Sequence, residues 1–69
     1  MTLGQRISEY RKKLGISQEE LGARLGVSRQ AVSKWETGAA DPSTANLLAL
    51  AKLYGVPAEE LLRGTRGDA

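Results

Sequence analysis

The sequence predicts an all-α domain of five short helices. Three observations predict it. Apolar residues recur every three or four positions in five separate stretches, as they do on one face of a helix. Five of the eight glycines, at positions 15, 26, 38, 55 and 64, each follow one of those stretches, where glycine closes a helix in the left-handed conformation. No stretch of useful length alternates apolar and polar residues at period two, so no strand is assigned.

The first helix is expected from about Leu3 to Leu14. Thr2 and Gln5 have the spacing of a capping box, and Leu3, Ile7, Tyr10 and Leu14 share one face. The second, from about Gln18 to Leu25, opens on Ser17-Gln-Glu-Glu20, a capping box whose two acids suit the positive end of the helix dipole. Leu21 and Leu25 form its inner stripe. The third, from about Arg29 to Thr37, is capped by Ser28, with Val32 and Trp35 facing inward. The spacing of Trp35 from Val32 assigns it to the core rather than to stacking on a base. The fourth begins near Ser43 or Thr44, after the Asp41-Pro42 breaker, and ends near Tyr54; Leu47, Leu50, Ala51 and Tyr54 make its inner face. The fifth runs from Pro57 to about Arg63. Proline suits a first helical turn, and Leu61 and Leu62 pack back. Residues 1–63 thus read as one domain, and residues 64–69 as a flexible tail or the start of a linker.

At 69 residues the chain supports one domain with a small core. It has no cysteine and no histidine. That leaves no disulfide framework and no thiolate metal site, and it removes the commonest general base. Glu19-Glu20 and Glu59-Glu60 are neighbours on helices, so their side chains diverge and form no paired acid site. We therefore expect no catalysis, no cofactor and no metal. No apolar run approaches the roughly 20 residues that span a bilayer, and no signal-peptide pattern opens the chain. A cytoplasmic setting without membrane contact is expected. The net charge is +2, unevenly placed. Arg6, Arg11, Lys12 and Lys13 stand against Glu9 in the first helix, and Arg29 and Lys34 against Glu36 in the third. A pI near 9.3 with clustered bases fits a polyanionic partner.

Between Leu25 and Arg29 lie only Gly26, Val27 and Ser28. So short a turn, opening on glycine, makes two helices meet steeply, as in a helix-turn-helix. Their close approach calls for a small residue in mid-helix, and Gly22 and Ala23 stand there. With Val32 and Trp35 inward, the third helix leaves Arg29, Gln30, Ser33 and Lys34 outside, with Thr37 at its end. An α-helix fits the major groove of double-stranded DNA, where arginine or lysine pairs with guanine and glutamine with adenine. Arg29, Gln30, Ser33 and Lys34 are therefore candidate base contacts; Ser33 stands equally as a solvent-facing hydroxyl. Ala31 is small enough to meet a thymine methyl group. The start of the second helix offers free amides to a phosphate, and Gln18 adds a side-chain donor. Ser17 and Ser28 combine capping with candidate phosphate contact. Lys12 is a further candidate, with Lys13 beside it, against the alternative that both only solvate the surface.

The run Gly15-Ile-Ser-Gln-Glu-Glu-Leu-Gly-Ala-Arg-Leu-Gly-Val-Ser-Arg-Gln-Ala-Val-Ser-Lys-Trp-Glu-Thr-Gly38 closely resembles the phage-repressor/Cro-like family, also called the XRE-type helix-turn-helix family. The likeness continues through Pro42 and Ala51-Lys-Leu-Tyr-Gly-Val56 to Glu60-Leu-Leu62, so it covers about residues 3–63. It implies a compact, five-helix, lambda-repressor-like DNA-binding domain whose second and third helices form the helix-turn-helix. It implies a two-fold symmetric homodimer and a palindromic operator. It also implies phosphate contact at Gln18, base contact at Arg29, Gln30 and Lys34, and contact with the DNA backbone at Thr37. Arg11 and Glu36 are implied to pair with each other, tying the first helix to the end of the third. The chain departs from the family pattern at Gly22, usually alanine, which implies a softer second helix. It departs again at Pro57, often serine, which removes a cap for the fifth.

The function expected is a sequence-specific transcriptional regulator, with repression the expected direction, in a bacterial nucleoid or a phage-infected cell. Two other readings stand beside it. The chain is the N-terminal module of a longer regulator with a C-terminal effector domain, or it is a protein-interaction module of the antitoxin kind. The latter predicts a large exposed apolar patch or a disordered binding tail. Leu48 and Leu53, off the main inner stripe, offer only a small patch. A dimer interface on the fifth helix or the flank of the fourth explains them equally well, beside plain partial burial in the monomer.

Overall fold

The computed structural model describes residues 1–63; the tail expected over 64–69, with Gly64, lies outside the described residues. Five helices follow in chain order: α1 (Leu3–Leu14), α2 (Gln18–Leu25), α3 (Arg29–Thr37), α4 (Thr44–Tyr54) and α5 (Ala58–Leu62). No strand occurs among the described residues. α3 packs against both α1 and α2, while α4 and α5 pack on each other and on α1. None of the helices described is long and apolar enough to cross a membrane.

The first four helices begin and end by the same local chemistry. Thr2, Ser17, Ser28 and Ser43 each accept the amide of the residue three further on. The glycines at 15, 26, 38 and 55 then take positive φ and stop the helix. The capping box at Thr2 is complete, since the Thr2 amide also donates to Gln5 Oε1 at 2.9 Å. The one expected at Ser17 is half formed. Ser17 Oγ accepts the Glu20 amide at 3.0 Å, but the Glu20 carboxylate turns to Arg24, 3.2 Å away on the next turn. A full positive charge outcompetes an amide dipole for that carboxylate. Pro57 also departs from expectation. It is the N-cap of α5, one residue outside the helix, and makes no side-chain cap bond because it has no acceptor to offer.

All five helices contribute to one core. Leu3 and Ile7 come from α1, Leu21 from α2, Val32 and Trp35 from α3, Leu50 and Ala51 from α4, and Leu61 from α5. Full burial of a leucine, isoleucine or valine stabilises by about 1.5–3 kcal/mol. Tyr10, Leu25, Leu47, Leu53, Tyr54 and Leu62 lie half-buried against this core. Tyr10 and Tyr54 stack on each other with ring centroids 5.1 Å apart, joining α1 to α4. Leu14, expected on the inner face, is 47% exposed. It lies within about 20° of Leu3 around the helix, so its exposure comes from its axial place at the helix end. Leu48 stands at 55% exposure on α4.

Two glycines set how closely the helices approach α3. A Cβ on Gly22 would lie 2.7 Å from the carbonyl oxygen of Val27, in the turn that leads into α3. Ala23, expected to share this task, is exposed. Gly4 acts likewise for α1. A Cβ there would run into the carbonyl oxygens of Trp35 and Glu36, the second at 2.6 Å.

Candidate nucleic-acid interface

The α2–α3 turn is held by its own backbone. Gly26, with φ 76°, ends α2, and the Val27 amide donates back to the Gly22 carbonyl at 2.8 Å. Ser28 then caps α3 by accepting the Ala31 amide at 3.1 Å. Three residues therefore suffice to redirect the chain.

Burying Val32 and Trp35 fixes the rotation of α3 about its axis. At about 100° per residue, Arg29, Ser33, Thr37, Gln30 and Lys34 then fall on one outward arc of roughly 140°. Arg29, Gln30, Lys34 and Thr37 are exposed; Ser33, within the arc, is half-buried, as is Ala31 beyond its Lys34 edge. The side chains of Arg29, Gln30 and Lys34 make no hydrogen bond or ion pair with any described residue. The Thr37 hydroxyl donates to the Lys34 carbonyl at 3.3 Å.

At the far end of this arc lies a polar cluster. The Arg11 guanidinium meets Glu36 through Nε, 2.7 Å from Oε2, and through Nη2, 3.2 Å from Oε1. Its Nη1 donates to the Ile16 carbonyl at 2.8 Å, next to the cap of α2. The two side chains are 12% and 7% exposed. The bonds to Glu36 raise the Arg11 pKa above its ordinary value, against the opposing effect of burial. The pairing that the family pattern implies is thus present.

Gln18 joins the same cluster, which sequence reasoning missed. Its Nε2 donates to Glu36 Oε1 at 3.0 Å. The two residues lie on different helices, 18 positions apart, and no periodicity links them. The amides of Gln18 and Glu19, at the start of α2, find no acceptor among the described residues. Ser17 and Ser28 accept amides through their oxygens, so each keeps its own O–H free to donate. Lys12 is exposed on α1, and Lys13 lies over the Tyr10 ring, 5.5 Å from its centre. Among the described residues no group of three or more acids could hold a metal ion.

The helix-turn-helix family model matches residues 7–61, from α1 to α5. Over 62 residues the chain is 45% identical to repressor protein C2 of Salmonella phage P22, covering 90% of this chain and 29% of that protein. It is 36% identical over 64 residues to the HTH-type transcriptional activator BcrR of Enterococcus faecalis, covering 93% of this chain and 31% of that protein. The chain therefore spans less than a third of either relative's length. A crystal structure of the P22 c2 repressor in complex with synthetic operator 9T, in the presence of Tl+, matches with a TM-score of 0.87 at 44% identity. That match covers 93% of this chain and 97% of that one. By this extended likeness in sequence and in fold, the chain belongs to the helix-turn-helix family, in its phage-repressor/Cro-like, XRE-type branch.

Proposed function

We propose that the chain reads double-stranded DNA in a sequence-specific way, as a transcriptional regulator that docks α3 in the major groove. One observation carries this reading. On a single helix, Val32 and Trp35 are buried while Arg29, Gln30 and Lys34 stand exposed on the opposite side, their side chains unpaired among the described residues. These are the side chains that pair with guanine and adenine edges. Ser33, half-buried within the arc, completes the set of base contacts. The free amides of α2, Gln18, Ser17, Ser28, Thr37 and Lys12 supply phosphate contacts around it. The likeness to a repressor solved on a synthetic operator supports the same docking here.

Two copies related by a two-fold axis would place two α3 helices about 34 Å apart, one turn of DNA, on a palindromic operator. Repression is the direction we propose, after the P22 relative. The chain acts by binding and not by catalysis, needs no cofactor, and works in the cytoplasm, in a bacterial nucleoid or an infected cell. Its relatives extend far past the matched part, so a C-terminal effector domain in a longer natural chain belongs to the proposal.

Selection of bound duplexes from a random pool tests the reading. One enriched inverted repeat, with affinity that falls steeply as salt rises, is the expected result. A pool that yields no enriched motif overturns it and favours a protein-interaction module.

A further inference from the structure

We propose that Glu36 is a positioning residue for the DNA interface, acting through Gln18. The proposal rests on the DNA-binding reading above, and within it on phosphate contact by Gln18.

A glutamine side chain presents a carbonyl oxygen and an NH2 group of nearly the same shape, and the two exchange places by a half-turn. Only the NH2 end can donate to a phosphate; the oxygen end repels it. Glu36 removes that ambiguity. Its carboxylate accepts and cannot donate, so the atom facing it at 3.0 Å must be the Gln18 nitrogen. One N–H of Gln18 is then engaged by Glu36, and the remaining N–H is the group offered to a phosphate beside the free amides of Gln18 and Glu19.

The carboxylate is itself held. Arg11 donates to both its oxygens and, with its third bond, to Ile16 just before the α2 cap. The same guanidinium offsets the negative charge that would otherwise repel the DNA backbone. Glu36 belongs to α3, so one residue fixes the phosphate-contacting end of α2 relative to the base-reading helix.

A double-mutant cycle on the selected operator tests this. Removing the carboxylate by Glu36→Gln has two consequences. It deletes a negative charge, which favours DNA whatever stands at position 18. It also frees the Gln18 amide to flip, which disfavours DNA only while Gln18 is there. The change in operator affinity caused by Glu36→Gln should therefore be about tenfold less favourable in the wild type than in the Gln18→Ala background. Equal changes in both backgrounds would mean that Glu36 acts on structure alone and would overturn the proposal. It also falls if Gln18→Ala leaves affinity intact while Arg29→Ala lowers it, although the DNA-binding reading then stands. Failure of the wild type to bind any selected duplex sinks that reading itself.

A second measurement needs no variant. In the free wild-type protein, NMR should show one Gln18 Nε2 proton protected from exchange relative to the other, and the operator should shift the less protected one. Two freely exchanging protons, or no shift on binding, would count against the proposal.

Discussion

Tyr54, the last residue of α4, donates its phenolic hydrogen to the backbone carbonyl of Ile7, 3.0 Å away and 47 positions earlier in the chain. Burial pushes the Tyr54 phenol pKa above its ordinary value; the Glu36 charge adds to the rise and Arg11 opposes it. A raised folded-state pKa means that the folded protein holds this proton more tightly than the unfolded chain. Its contribution is fully present below the unfolded value, about 10, and is lost as pH climbs towards the folded one. Stability should therefore fall above about pH 10. Tyr54→Phe should be less stable by about 1 kcal/mol at neutral pH and show a shallower alkaline decline. Urea midpoints for both proteins from neutral to alkaline pH check this; parallel curves would contradict it.

Arg11→Ala should destabilise by about 3–5 kcal/mol, because it strands a carboxylate that is only 7% exposed. Replacing both partners with apolar residues of similar volume, Arg11→Met with Glu36→Leu, should recover most of the loss. Denaturant unfolding of the three variants measures it. A double variant no better than Arg11→Ala would show that the pair's geometry, rather than the unpaired charge, sets the loss.

The two packing glycines should respond in a fixed order. Alanine in a helix interior gains about 1 kcal/mol over glycine. At Gly22 that gain opposes one carbonyl oxygen 2.7 Å from the new Cβ, with the next contact at 3.2 Å. At Gly4 it opposes the carbonyls of two residues, with even the Glu36 carbonyl carbon at 2.9 Å. Both obstacles are backbone, which yields little. Gly4→Ala should lower the thermal midpoint clearly more than Gly22→Ala. The reverse order would place the tightest helix contact at α2 instead of α1.

Arg29→Ala should weaken binding to the selected operator by about 1–3 kcal/mol and relax preference at one base pair. Its effect on random duplex should be much smaller. An equal loss on both would make Arg29 a phosphate ligand. Lys12→Ala should instead weaken both alike and reduce the salt dependence.

The helix limits were legible because they are written locally. A hydroxyl three residues ahead of its amide partner, and a glycine at the far end, bound each of α1 to α4 within one residue of expectation. The buried set from Leu3 to Leu61 followed from spacing alone. Contacts between helices left no such trace. Nothing near Gly4 announces that the end of α3 will press on it, and nothing in Tyr10 or Tyr54 announces their stack. Pro57 misled because proline is equally at home at a first turn and just outside one. On the candidate interface, the outward residues of α3 emerged by subtraction once Val32 and Trp35 were placed inside. Arg11 with Glu36 came only through the family pattern, and the bond from Gln18 to Glu36 needed the fold.

The side chains of Arg29, Gln30 and Lys34 hold no other described residue by a hydrogen bond or an ion pair. Every side-chain cap, core side chain and buried ion pair described belongs to other residues. Those three positions form an interchangeable cassette on a fixed chassis. Substitutions there should carry little penalty to folding, so the outward face of α3 can change its chemistry while the scaffold beneath it stays as it is.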